Sequence, residues 1–214
     1  SGSTHPRITP PRKAPRGFSL SIEVVDAEVT YKVPDESPIV TNIPTAVFDL
    51  SDMRKITVKV QGTVTQAGQT GQMQVNALIK NLFDAEGTLT ADKAEFNARA
   101  KLQAVPVAGL DAMANQEGLL VALLGPRADG DIELEGNLSN LAVKLDAKTQ
   151  NLTARTHATG QDGHVEMHGG SLELTVTPKA WSHLAKRYPT LAGMTLHEPV
   201  AVSATINRFN VPLD

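Results

Sequence analysis

A pattern that occurs twice does most to limit what this chain can fold into. A long stretch of alternating polar and apolar residues ends at a proline and passes into a short amphipathic helix. The first copy covers residues 56–106 and continues through 107–124. The second covers 132–178 and continues through 179–188. The period reads as about 45–50 residues, where self-similarity marks a repeat architecture. Side chains two apart share a face of a strand, so this alternation gives a sheet one apolar and one polar face.

The individual strands follow from the same period. Phe18, Leu20, Ile22 and Val24 alternate with polar residues, and Ala27, Val29, Tyr31 and Val33 continue on the odd positions. The phase slip predicts a bulge or bend near Val25 and Asp26. Residues 34–44, with prolines at both ends, read as a loop, and Ala46, Phe48 and Leu50 as a short strand. Ile56, Val58 and Val60 pair with Met73, Val75, Ala77 and Ile79 across a turn at 68–71. Leu89 and Ala91 read as another short strand. Phe96, Ala98, Ala100, Leu102 and Ala104 alternate five times with polar residues. Residues 110–124 read as a helix that Gly118 divides and Gly125-Pro126 ends. Beyond it, Ile132 and Leu134, Leu141 to Leu145, Leu152 and Ala154, and Leu172 to Val176 are strands, with a hairpin at 160–163. Thr177 is an N-cap with Pro178 at the first helical position. Trp181, Leu184, Ala185 and Tyr188 make the apolar stripe of a second helix, with Trp181 as a core anchor. Val200, Val202, Ala204 and Ile206 form a closing strand.

The expectation is a mainly β fold: a curved, mostly antiparallel sheet of strand-rich repeats with two short helices. The divisions are a linker at 1–16, N-terminal strands at 17–55, a first repeat with its helix at 56–125, a second at 126–190 and a closing strand at 191–214. All belong to one continuous β-rich domain. Prolines and basic residues make 1–16 a solvated tether. Ser1-Gly2-Ser3 reads as a cloning remnant, and the chain then as a piece of a longer one.

Composition narrows the function classes. Aromatic residues are 4% of the chain and the net charge is −3. Neither suits a stacking platform for bases or a binder of phosphate backbones, so no nucleic-acid partner is expected. The chain has no cysteine, which removes disulfides, thiolate metal sites and a cysteine nucleophile. No apolar run reaches the length of a transmembrane helix. The motifs of serine hydrolases, zinc proteases and phosphate-binding loops are missing, and Asp49, Asp52, Asp131 and Glu133 read as a solvated strand face. An enzyme is not expected, and no cofactor is called for.

One histidine group earns a separate reading. His164, Glu166 and His168 alternate on one strand face. A turn on Gln161 and Asp162 sets His157 opposite Glu166, giving three imidazoles and a carboxylate of the kind that suits zinc. The plainer reading is an exposed polar face, and no metal is expected.

Four segments resemble a known family. They are VPVAGLDAMANQEGLLVALLGPRADGDIELEGN at 105–137, LELTVTPKAWSHLAKRYPTL at 172–191, VAVSATINRFNVPLD at 200–214 and VNALIKNLFDAEGTL at 75–89. Together they cover about half the chain and resemble the AsmA-like envelope proteins of planctomycete type. The resemblance implies a β-rich repeat of an elongated periplasmic protein. That protein would be anchored at the inner membrane through a segment missing here, and its apolar trough would serve phospholipid transport or outer-membrane assembly. Phospholipid and other envelope proteins are the implied partners. The candidate lining residues are Phe96, Ala98, Ala100, Leu102, Ile132, Leu134, Leu172 and Leu174, with ordinary core as the plainer reading of any one of them. The alternative is a closed β-rich structural or protein-interaction module without a small ligand.

Overall fold

The computed structural model describes residues 20–32, 37–52, 54–84, 87–161 and 164–212; the linker at 1–16, Phe18 and Val33 lie outside them. The strands are β1 (Ser21–Tyr31), β2 (Ile39–Asp52), β3 (Lys55–Gln66), β4 (Gln69–Lys80), β5 (Glu95–Pro106), β6 (Arg127–Asn137), β7 (Asn140–Thr149), β8 (Leu152–Gln161), β9 (His164–Val176), β10 (Val200–Ile206) and β11 (Phe209–Pro212). They form one antiparallel sheet in which each strand from β1 to β10 pairs with its sequence neighbours. The last edge is split between β10, on residues 170–176 of β9, and β11, on residues 164–167. The sheet is open, with β1 at one edge and β10 and β11 at the other. A closed sandwich or barrel is therefore excluded for the described residues.

Among the described residues three α-helices, rather than two, interrupt the strands. They are α1 (Val107–Met113), α2 (Leu119–Leu124) and α3 (Pro178–Arg187). Gly118, at φ 84°, divides the first helical stretch as its sequence suggests. The Thr177 hydroxyl accepts from the Ala180 N–H at 3.2 Å, and Pro178 opens α3. Four strands and a helical segment thus recur as β2 to β5 with α1 and α2, and as β6 to β9 with α3. The unit begins earlier than Ile56, and its period exceeds the ~50 residues read from the sequence.

The local departures have physical causes. Residues 39–44 are strand, not loop. Pro44 is tolerated because it lies at a bulge between β2 and β3, where no ladder donor is required. Asp26, at φ 52°, lies opposite that bulge and produces the phase slip of β1. The β3–β4 turn is Ala67-Gly68, both at positive φ, as a two-residue hairpin demands. Gly71 is instead in β4, where a Cβ would stand 2.5 Å from the Val105 Cα. Leu89 makes only an isolated bridge with Phe83, and Ala91–Lys93 is a 3-10 turn.

Burial is concentrated at one end. Among the described residues nine hydrophobic side chains are buried, and all but Ala46 and Ala94 lie where the helices meet the strand ends. Ala122, Val176 and Ala180 form the centre of this cap, with Leu123, Leu174, Trp181, Leu184 and Leu196 around them. The Trp181 indole donates to the Met194 carbonyl at 2.9 Å, so the ring anchors the cap as the helix stripe predicts. The buried Asp111 joins α1 to α2, its carboxylate accepting from the Gly118 and Leu120 N–H groups at 2.6 Å each. Asp111→Ala strands both donors and is expected to cost about 1–3 kcal/mol. A lower urea midpoint with an unchanged slope would register that loss.

Candidate functional site: an uncovered apolar sheet face

Cross-strand register assembles the alternating residues into rows. Through Ala98 one row runs Ile22, Phe48, Val58, Ala77, Ala98, Leu134, Val143, Ala158, Met167 and Phe209. Through Ala100 the next runs Val24, Ala46, Val60, Val75, Ala100, Ile132, Leu145, Thr156, Gly170 and Ile206. Rows through Phe96 and Leu102 flank these two. Ten strands at the usual spacing make each full row roughly 45 Å long. Outside the bulge at Asp26, no Asp, Glu, Lys or Arg of the described strands falls on this face.

Nothing among the described residues forms a second layer over it. The helices gather at the strand ends and contact one another. Apart from the buried Ala46, the row residues are accordingly half-buried or exposed: Ile22 is 45% and Phe209 55% accessible, and Val202 on the same face is 45%. Phe96, Ala98, Ala100, Leu102, Ile132 and Leu134 lie in the middle of the face, all half-buried. Leu172 lies towards the β10 edge and is exposed. Leu174 differs from the others, because it packs against the helical cap. Sequence alternation marks every strand of the face. Ile22, Phe48, Val143 and Met167 escaped the candidate set because only register shows that they share its rows.

The opposite face carries the charge. Arg99 forms a two-pronged pair with Asp131 at 2.6 and 3.0 Å and reaches Glu133 at 3.3 Å. Its guanidinium is held above its ordinary pKa first by the hydrogen bond to Asp131, then by the charges of Asp131 and Glu133. Lys144 lies 3.8 Å from Glu133, and Arg155 bonds Asp146 at 2.9 Å. With His157 and His168 these residues line a depression of about 640 Å³. Each of the three cations has a carboxylate partner, so the depression is a ladder of exposed ion pairs. Such pairs each contribute only about 0–1 kcal/mol.

The histidine register differs from the sequence expectation. Gln161 pairs with His164, and His168 is the extra residue of a bulge. His157 therefore faces Gly169, and Glu166 faces Thr159. The His168 Nε2 lies 2.6 Å from the Thr159 hydroxyl, and Glu166 is engaged by Arg208. The rings of His157 and His168 are 5.2 Å apart. No group of three or more metal-ligating side chains converges among the described residues. Excess chelator is expected to leave the melting temperature unchanged; a drop of several degrees would reveal a metal whose binding is coupled to folding.

No described helix is long and apolar enough to cross a membrane. No protein-family model, curated protein or solved structure matches the chain.

Proposed function

We propose that the uncovered face is a surface for lipid acyl chains, and that the chain is a non-enzymatic segment of an AsmA-like envelope protein. Its work would be phospholipid transport or outer-membrane assembly, in the periplasm, with an inner-membrane anchor elsewhere in the protein. One observation carries this reading: outside the bulge at Asp26, a face roughly ten strands wide bears no charged side chain and receives no covering layer from the described residues. Contiguous apolar surface of that extent is rare on a soluble monomer and marks an interaction site. Its side chains are mainly Ala, Val, Leu and Ile, with few aromatics. Such a surface offers dispersion contact along a flexible hydrocarbon without polar groups that need partners.

Native mass spectrometry of the purified chain, paired with solvent extraction, tests the reading. Phospholipid is expected to accompany the protein at a defined stoichiometry. A lipid-free monomer that also fails to take up added short-chain phospholipid would overturn it. A lipid-free dimer with its apolar face protected from hydrogen exchange would replace it with protein association.

A further inference from the structure

A second site lies on the cap. The loop between α1 and α2 and the outer side of α3 enclose a cleft of about 330 Å³. It is lined by Asn115, Gln116, Glu117, Leu119, His183, Lys186 and Arg187. His183, Lys186 and Arg187 are three and four positions apart, so one side of α3 presents all three. Among the described residues none of the three has a carboxylate partner, unlike the cations of the polar sheet face. Arg187 Nη1 donates to the Gln116 side-chain oxygen at 2.5 Å, and Gln116 Nε2 donates to the Ala114 carbonyl at 2.7 Å. This chain of bonds aims the guanidinium at the loop. The His183 ring stands over Gly118, whose added Cβ would lie 3.4 Å from its Cε1. A methyl group there would meet the ring at ordinary contact distance, and it is the φ of 84° that favours glycine at this position. Among the described lining residues Glu117 is the one acid. The cleft therefore offers a guanidinium, an ammonium, an imidazole and side-chain amides against a single carboxylate.

We propose that this cleft binds a phosphate group. Arginine and lysine would supply charge-assisted hydrogen bonds, and His183 and Asn115 would contribute donors to the remaining oxygens. The placement ties the cleft to the apolar face. Helix α2 gives Leu119 to the cleft while its Ala122 and Leu123 pack with Val176 and Leu174, the end of that face. On the acyl-binding reading above, from which this extension follows, the phosphate is that of a lipid headgroup held at the cap. A free phosphomonoester presents the same chemistry to the cleft.

The test follows the His183 ring signals by NMR while the whole chain is titrated separately with three probes. They are dihexanoyl phosphatidic acid below its micellar concentration, glycerol 3-phosphate and inorganic phosphate. Saturable movement with phosphatidic acid at about tenfold lower concentration than with glycerol 3-phosphate is expected for a headgroup site. Equal responses to the soluble probes and the lipid support the phosphate site and assign it to free phosphate. Lys186→Gln with Arg187→Gln, both on the exposed surface, is expected to weaken every response about tenfold or more. The same double variant should leave binding of dihexanoylglycerol, which has no phosphate, unchanged. His183 signals that ignore all three probes would overturn the proposal whether or not the apolar face binds lipid. So would a double variant that binds like the parent.

Discussion

Ala100→Asp is expected to leave the chain folded and to abolish lipid binding. Ala100 is half-buried in the middle of the uncovered face, opposite Val75 on one side and Ile132 on the other. No second layer among the described residues stands over it, so the new carboxylate keeps access to water while the face is empty. The cost to folding should then be near that of a surface substitution, within about 0.5 kcal/mol. Acyl chains laid across the row would bury the charge without a partner. Desolvating an ionised carboxylate that way far exceeds what a few methylene contacts return. Circular dichroism and a melting curve should match the parent, and native mass spectrometry should show the phospholipid gone. A folded variant that keeps its lipid places the acyl chains on another surface. An unfolded variant shows that something closes over Ala100 in solution.

How far this site was legible follows from what period-2 alternation can encode. Each strand announces its two faces, and 96–102 does so without interruption, so the strands and their antiparallel order follow directly. Alternation carries no information on what covers the apolar side. A sandwich strand and a strand of a bare sheet have the same pattern, and only the absence of a second layer separates them. Register is the second gap. His157 faces Gly169 and not Glu166, because the turn pairs Gln161 with His164 and one bulge at His168 then moves the partners of residues 152–157. Glycines at 169 and 170 give that bulge room without leaving a distinctive signature.

Punctuation by proline and glycine was informative at helices and misleading in strands. Thr177-Pro178 starts α3, and Gly125 ends α2 at φ 92°, because those residues match the backbone that helix ends require. Pro44 has the same sequence character as a loop proline, yet sits inside β2, since the bulge removes the need for its missing N–H. The cap cleft had no signal at all in a linear reading. It depends on Gln116 and Arg187, which belong to different repeats and meet only when α3 packs beside α2.

The same substitution at Ala180 is expected to have the opposite outcome. Ala180 is fully buried at the centre of the cap, against Ala122 and Val176, and its N–H is the one that Thr177 caps. Asp at that position would place an unpaired charge among Leu123, Leu184 and Trp181, where breaking a buried pair typically costs about 3–5 kcal/mol. A sheet with so few buried side chains elsewhere has little to offset such a loss. Ala180→Asp should therefore unfold the cap, seen as lost tryptophan fluorescence anisotropy and a melting point many degrees lower, and should reduce soluble yield. The contrast with Ala100→Asp carries the argument, because the chemical change is identical and only the covering differs. If Ala180→Asp folded with parental stability, the cap would not be the core of this molecule, and the bare face would have to supply that core by packing against a partner.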